Sequence, residues 1–324
     1  MGSTRTIEDY VEEIVGYITE VDFDNMSSVC DTLEKMKFSS KSKYKLNYWR
    51  VMQCLGETAS DRLVSFLIRM EKNSCKCHLN TNFKCFMRLF VEAMCNVKVI
   101  KRMLECQAKM VPLFFKGVRQ TDEQMLNVIA LESILKCVIV GKTETVELFV
   151  KYGLVKDLYL QIKLQNDVSN FSYGSINTVL YCSQLMYAAS VCGSERIRKQ
   201  VRRSNSARVL AEYIVKLEKN KVNKLGVEQL CKNFTEIRNV LGDEKEAEEA
   251  FKNWRPKERL QIEQEQDQMY TFCSSPSCRK IHADCDKFRY CGACRLARYC
   301  SEGCQKEHWK RGHKDACQQE ALCL

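Results

Sequence analysis

The sequence predicts an all-α protein in which a large helical domain precedes a small C-terminal module rich in cysteine. Three prolines and thirteen glycines occur in 324 residues, and only Pro112 lies before position 250, so little interrupts helix formation. Apolar residues recur at helical spacing through residues 7–240. Nine of the twenty cysteines fall within the last 52 residues, where the composition differs from that of the rest of the chain.

Amphipathic helices are predicted along the whole N-terminal part. The segment IEDYVEEIVGYI places Ile7, Val11, Ile14 and Ile18 on one helix face. Three later segments are apolar enough to be inner helices: FKCFMRLFVEAM, MLNVIALESILKCVIV and TVLYCSQLMYAASVC. The polar segment LQNDVSNFSYGSIN, residues 164–177, predicts a long loop.

An internal repeat is indicated by three similar segments: CQAKMVPLFFKGV, VKYGLVKDLYLQI and RRSNSARVLAEYIVKL. Val111 aligns with Val155, 44 residues later, and Val209 follows after a further 54; Val64 marks a candidate earlier copy. Periods near 40–47 residues are typical of armadillo or HEAT units. The segment ELFVKYGLVKDLYLQI resembles the end of one armadillo repeat and the start of the next, with Gly153 at a tight turn. A non-repetitive helical bundle is the alternative, and it has the same all-α class.

Composition divides the chain into three parts: a helical domain at 1–241, a charged helical linker at 242–270 and the cysteine-rich module at 271–320. Phe251 and Trp254 could dock the linker onto the preceding helices.

No stretch approaches the roughly 18 apolar residues of a membrane span. The N-terminus has acidic residues where a signal peptide needs an apolar core, which predicts an intracellular protein, cytoplasmic or nuclear, with free thiols. Gly2 and Thr6 fit the short N-myristoylation pattern.

The module contains four ligand pairs with metal-binding spacing. They are Cys273 with Cys278, Cys291 with Cys294, Cys300 with Cys304, and His313 with Cys317. Four donors suit one tetrahedral Zn²⁺ ion, so the pairs predict two closed, structural zinc sites. His282 and Cys285 could each replace a neighbouring ligand. The CKCH motif at 75–78 also contains metal-binding residue types, but it has no second ligand pair to complete a site. His308 is expected to be a solvated helix residue.

Helix geometry predicts which pairs share an ion. Cys304 and His313 are nine residues apart in a segment that follows the cap residue Ser301. In one helix they would be separated by roughly 13 Å along the axis and half a turn around it, so they serve different ions. The predicted sites are therefore interleaved. The first site comprises Cys273, Cys278, Cys300 and Cys304, and the second comprises Cys291, Cys294, His313 and Cys317.

The complete pattern C-x4-C-x12-C-x2-C-x5-C-x3-C-x8-H-x3-C, with RYCS, CQKEHW and HKDAC, resembles a MYND-type zinc finger. The family's cross-braced pairing agrees with the helix argument. The resemblance also implies a surface for proline-containing peptides, formed by Gln305 and Trp309 with Tyr299 beside them. An aromatic face suits proline rings, and an amide can pair with a peptide backbone. Packing onto the second zinc site is the alternative role for Trp309.

The function that follows is a non-catalytic protein–protein interaction adaptor. One alternative is a relative of the SET/MYND lysine methyltransferases, but the chain lacks their N-H-x-C type motifs, and the finger is C-terminal instead of interrupting a catalytic domain. Another is a nucleic-acid-associated transcriptional regulator. The formal net charge of +10 permits an acidic partner, but lysine and arginine are spread along the chain. With seven thiolates and two Zn²⁺ ions, the finger's formal charge falls from +4 to about +1, which disfavours nucleic acid.

Overall fold

The computed structural model describes residues 7–20, 23–37, 42–73, 81–94, 96–120, 123–141, 143–167, 171–220, 224–243, 245–252, 273–275, 278, 288–292, 297–314 and 317. The chain divides into two compact units, residues 1–258 and 259–324. The first unit is helical throughout its described elements, and the second contains short strands as well as helix.

Four helices begin the large unit: α1 (Ile7–Glu20), α2 (Phe23–Lys37), α3 (Ser42–Asn73) and α4 (Thr81–Ala93). Helices α1 and α2 pack against each other and against α3, while α4 packs against α2 and α3. Val11, Ile14 and Ile18 of α1 are all buried, which confirms the predicted inner face of this helix.

Nine further helices form three units of one design. Each unit has a first helix of 9 residues, a second of 12 or 14 and a third of 17 to 20. The helices are α5 (Val97–Glu105), α6 (Gln107–Val118), α7 (Gln124–Val140), α8 (Thr143–Lys151), α9 (Leu154–Asp167), α10 (Tyr173–Cys192), α11 (Glu195–Arg203), α12 (Ser206–Lys219) and α13 (Lys224–Gly242). The predicted helical repeat is therefore present, in a three-helix form of the armadillo type.

Neighbouring units pack through helices that occupy the same position, second or third, within each unit. The third helix α10 packs between α7 and α13, and the second helices α9 and α12 pack together. Val111, Val155 and Val209 are all buried in second helices, as their alignment predicted. Val64 is also buried, but it lies in the 32-residue α3, which differs in length from every second helix.

Two local predictions differ from the structure. The polar segment 164–177 is not one long loop: α9 continues to Asp167, and α10 begins at Tyr173 because Ser172 caps it, its hydroxyl accepting from the Ser175 amide at 3.0 Å. Gly153 does occupy a tight turn, at φ 101°. That turn joins the first and second helices of one unit and is not a boundary between units.

A buried carboxylate ties the first two repeat units together. Asp157 of α9 accepts from Arg119, which follows α6, through Nε at 2.9 Å and a second guanidinium nitrogen at 2.7 Å. Arg119 also donates to the Tyr152 carbonyl at 3.0 Å. Beside this contact, Gln161 of α9 and Asn127 of α7 both donate to the Val118 carbonyl, at 2.7 and 2.6 Å. The end of α6 is thus fixed by side chains from both units.

We expect Arg119→Ala to weaken this junction. The substitution leaves the Asp157 carboxylate buried without its cation, and a lost hydrogen bond to a charged group costs about 1.5–3 kcal/mol. Urea unfolding would measure the change. The double variant Arg119→Ala/Asp157→Asn should recover part of the loss, because the uncompensated charge is gone; additive costs would contradict the pairing.

The charged segment after α13 begins inside the large unit. Residues 245–252 are helical, and Ala247 is buried in the same core as the repeat helices. Phe251 is partly exposed, with 37 % of its surface accessible, and Trp254 lies outside the described residues. Among the helices that the structure describes, none has the length and apolar character needed to cross a bilayer.

In the small unit, two antiparallel strands precede a helix. Strands β1 (Arg289–Tyr290) and β2 (Arg298–Tyr299) pair with Arg289 opposite Tyr299. Helix α14 (Glu302–His308) follows, capped by Ser301, whose hydroxyl accepts from the Cys304 amide at 3.3 Å. The helix then continues as a π-helical turn, Trp309–His313.

Candidate metal centre

Four cysteine sulfurs form the first metal-binding group. The Sγ atoms of Cys273, Cys278, Cys300 and Cys304 all lie within 4.8 Å of one another. Cys278 and Cys300 are 3.5 Å apart, and Cys300 and Cys304 are 3.6 Å apart. A zinc ion with Zn–S bonds of roughly 2.3 Å sets tetrahedral S–S edges of about 3.8 Å, whereas a disulfide needs about 2.05 Å. The group therefore fits Zn²⁺ and does not fit a disulfide.

Backbone and side-chain hydrogen bonds hold the upstream loop of this group against β2 and α14. The Ser274 amide donates to the Arg298 carbonyl at 2.7 Å, and the Ser274 hydroxyl accepts from the Arg298 amide at 2.9 Å. Ser275 donates through its hydroxyl to Glu307 of α14 at 3.1 Å. These contacts bring Cys273 beside Cys300 and Cys304, which are about 30 residues further along the chain.

The second group contains Cys291, His313 and Cys317, all buried, with ligand atoms within 4.8 Å of one another. The sulfurs of Cys291 and Cys317 are 3.6 Å apart. Cys291 donates its amide to the Ala297 carbonyl at 2.7 Å, which closes the loop between the strands. The fourth predicted ligand, Cys294, lies outside the described residues.

The grouping is interleaved along the chain. The first predicted pair joins the third, and Cys291 of the second pair joins both members of the fourth. Cys304 and His313 belong to different groups, because α14 continues into the π-helical turn without reversing direction.

Protonation and metal binding compete at the first group, because a coordinating thiol must be deprotonated. Burial raises the pKa of the Cys273 thiol well above its ordinary value. A bound divalent cation reverses this balance, because it keeps coordinating thiols deprotonated. Metal binding at this group must therefore displace the proton of Cys273.

Tyr299 and His308 form a buried pair between the two groups. The Tyr299 hydroxyl lies 3.0 Å from His308 Nδ1, and the side chains are only 1 % and 6 % exposed. The expectation that His308 is solvated is therefore wrong. Tyr299 points into the interior of the finger, so the surface predicted from Gln305, Trp309 and Tyr299 does not include all three side chains.

Gln305 and Trp309 do share one surface. Together with Glu302, Lys306 and Lys310 they line an open pocket of about 350 Å³. Trp309 is partly buried, and its ring meets the His313 ring edge-on at a centroid distance of 5.8 Å. The indole therefore packs beside the second metal group and also forms a wall of the pocket.

His308 is the residue that sequence reasoning missed. Its spacing of five from His313 would put the two rings on different faces of an α-helix, but the π-helical turn aligns residues five apart. A π-turn has no reliable sequence signal. Three other candidates lie outside the described residues: His282 with Cys285, the CKCH segment at 75–78, and the N-terminal Gly2 and Thr6.

Comparison with known proteins identifies one family within the small unit. Residues 271–317 match the model of the MYND finger family. This segment is a MYND finger, and the two metal ions of the protein are zinc.

Two solved structures resemble the larger part of the chain. One is an engineered protein from the Northeast Structural Genomics Consortium, with 14 % identity, a TM-score of 0.41, and coverage of 74 % of this chain and 94 % of that one. The other is a computationally designed armadillo repeat protein for modular peptide recognition, with 12 % identity, a TM-score of 0.42, and coverage of 71 % and 91 %. The assignment of three repeat units rests on the helix lengths and packing, not on these likenesses.

Proposed function

We propose that this chain is a non-catalytic protein-interaction adaptor whose finger binds proline-containing peptides. The observation that carries the proposal is the pocket on α14, which combines the indole of Trp309 with the amide of Gln305. The flat face of an indole suits the rings of a preformed polyproline II peptide, and the Gln305 amide can pair with its backbone.

The zinc sites serve as scaffold in this proposal. The ligands are Cys273, Cys278, Cys300 and Cys304 for one ion, and Cys291, Cys294, His313 and Cys317 for the other. A catalytic zinc keeps one position for water or substrate, whereas four protein donors fill a tetrahedral site. Each ion then fixes part of α14 and its extension: Cys304 lies one residue before Gln305, and His313 lies one helical turn after Trp309.

The helical domain supplies a second interaction surface. Stacked three-helix units present extended faces that suit protein partners. The described cysteines of this domain are free thiols, which agrees with an intracellular location. A pull-down that compares the intact chain with a variant lacking residues 271–324 assigns each partner to the domain or to the finger.

Trp309→Ala tests the peptide surface directly. We expect affinity for a fluorescent proline-rich peptide, measured by polarisation with the full chain, to fall at least about 30-fold, as for a central aromatic hot spot of 2 kcal/mol or more. Zinc content should stay at two ions per chain, since no ligand is removed.

Arg311→Ala is the matched control. Arg311 is exposed on the same turn, pairs with Glu307 at 3.0 Å and does not line the pocket, so the peptide affinity should change less than about threefold. A peptide with its prolines replaced by alanine reports nonspecific binding. Equal peptide affinity for the wild type and Trp309→Ala, with zinc retained in both, would show that the finger is not the recognition element.

A further inference from the structure

The buried Tyr299–His308 pair lies between the two metal groups and is connected to both. Tyr299 immediately precedes Cys300 in the chain, and His308 lies one helical turn after Cys304. The position of each residue therefore depends on the position of a nearby ligand of the first group. The end of β2 packs against α14, and the Tyr299 hydroxyl lies 3.0 Å from His308 Nδ1.

The same pair contacts a ligand of the second group. The rings of His308 and His313 are nearly parallel, at 16°, with centroids 4.7 Å apart. Tyr299 meets the His313 ring at a steeper angle, 68°, with centroids 6.1 Å apart. The ring of His308 thus stacks on one face of the His313 ring, and Tyr299 also contacts His313. All three side chains are buried.

We infer that Tyr299 and His308 are positioning residues that couple the two zinc sites energetically. Zinc in the four-cysteine site fixes the pair, and the fixed pair orients the His313 imidazole for the second ion. Because the coupling is a free energy between two binding events, zinc at the second site must tighten the first by the same factor. This inference rests on the ligand assignment proposed above.

The size of the coupling follows from what such contacts contribute elsewhere. Residues that orient a metal-ligating histidine typically change metal affinity by 10- to 100-fold. We therefore expect the second site to bind metal at least about tenfold more tightly when the first site is occupied. The general packing of the finger could also couple the sites, so the test must separate this pair from the other contacts.

The test is a titration of the metal-depleted full-length chain with Co²⁺, whose absorption distinguishes a four-sulfur site from a site with three sulfurs and one nitrogen. The coupling factor is the ratio of second-site affinity in the wild type to that in Cys278→Ser, which disables the first site. Tyr299→Phe removes the hydroxyl and keeps the ring, while His308→Phe keeps a stacked ring and removes Nδ1. In the Tyr299→Phe and His308→Phe variants the coupling factor should fall to below about threefold. The affinity of the first site for metal, measured while the second site is empty, should stay unchanged.

Arg311→Ala is the control, because it removes an exposed 3.0 Å ion pair with Glu307 and leaves the Tyr299–His308 pair intact. Its coupling factor should equal that of the wild type. A second measurement avoids the disabled site. During chelator competition, both Zn²⁺ ions should leave the wild type in one cooperative step, whereas Tyr299→Phe should lose the second-site ion first.

Two results would overturn the inference, and they differ. Two bound ions with the same coupling in the wild type, Tyr299→Phe and His308→Phe would refute the role of the pair and leave the ligand assignment standing. Fewer than two ions bound by the wild type would refute the ligand assignment, and the coupling with it. Release of both Zn²⁺ ions from Tyr299→Phe in one step would also contradict the role of the Tyr299–His308 pair.

Discussion

Zinc removal by a chelator is expected to unfold residues 271–317 and to leave helices α1–α13 folded, whereas Cys304→Ser is expected to disable the first zinc site. The finger's buried apolar cluster is small, and several of its members are the cysteines themselves. A segment of this size cannot remain folded by its own core, so the metal supplies most of its folding free energy, on the order of 10 kcal/mol per site. Far-UV circular dichroism should retain the main helical signal, while tryptophan fluorescence from Trp309 should change.

A matched control for this experiment is Cys182→Ser in the helical domain. Cys182 is fully buried in α10, far from any predicted metal ligand in sequence, so its substitution should lower the domain's stability and leave the zinc content at two ions per chain. If chelation instead abolished the main helical signal, the two units would not fold independently, and the finger would be part of the domain's stability.

The second large effect is expected for Phe149→Ala in the middle repeat unit. Phe149 of α8 has no exposed surface, and its ring lies 6.4 Å from that of Phe115 in α6. Truncation removes this contact and leaves a cavity between two repeat units, which costs about 3–5 kcal/mol. Urea unfolding followed by circular dichroism would measure the loss.

Leu160→Ala is the comparison for this substitution. Leu160 lies on α9 of the same unit with 39 % of its surface exposed, so its truncation should cost less than about 1 kcal/mol. Equal losses for the two variants would mean that α8 does not pack between the units in solution. A loss confined to a separate, less stable transition would show that the repeats unfold one after another.

Much of the helical domain was predictable because burial repeats along its sequence. The apolar spacing in α1 and the alignment of Val111 with Val155 both follow from helices that bury one side against a common core. The ends of the polar segment 164–177 were not predictable in the same way. Asp167 continues α9 on its solvent side, and Ser172 begins α10 through a cap that a composition of Ser, Asn and Gly does not distinguish from a loop.

The metal groups were predictable for a different reason. Chelation by residues three to five positions apart is local, so the pairs are visible in the sequence, and a rigid helix between Cys304 and His313 restricts how the pairs combine. The Tyr299–His308 contact joins β2 to α14, and the stacking of His308 on His313 occurs across the π-helical turn, so neither contact has a local signature. The inward direction of Tyr299 could not be read from its position beside Cys300.

The position of the pocket has a consequence for how its preferences could change over evolution. Glu302, Lys306 and Lys310 line the rim at successive turns, and none of them belongs to either metal group. Lys306 pairs with Glu302 at 2.8 Å, both largely exposed. Under the proposed function, substitutions at these three positions would alter the charge that a peptide meets and would remove no metal ligand. The charge preference of the pocket would then be separable from the ligands that fold the finger.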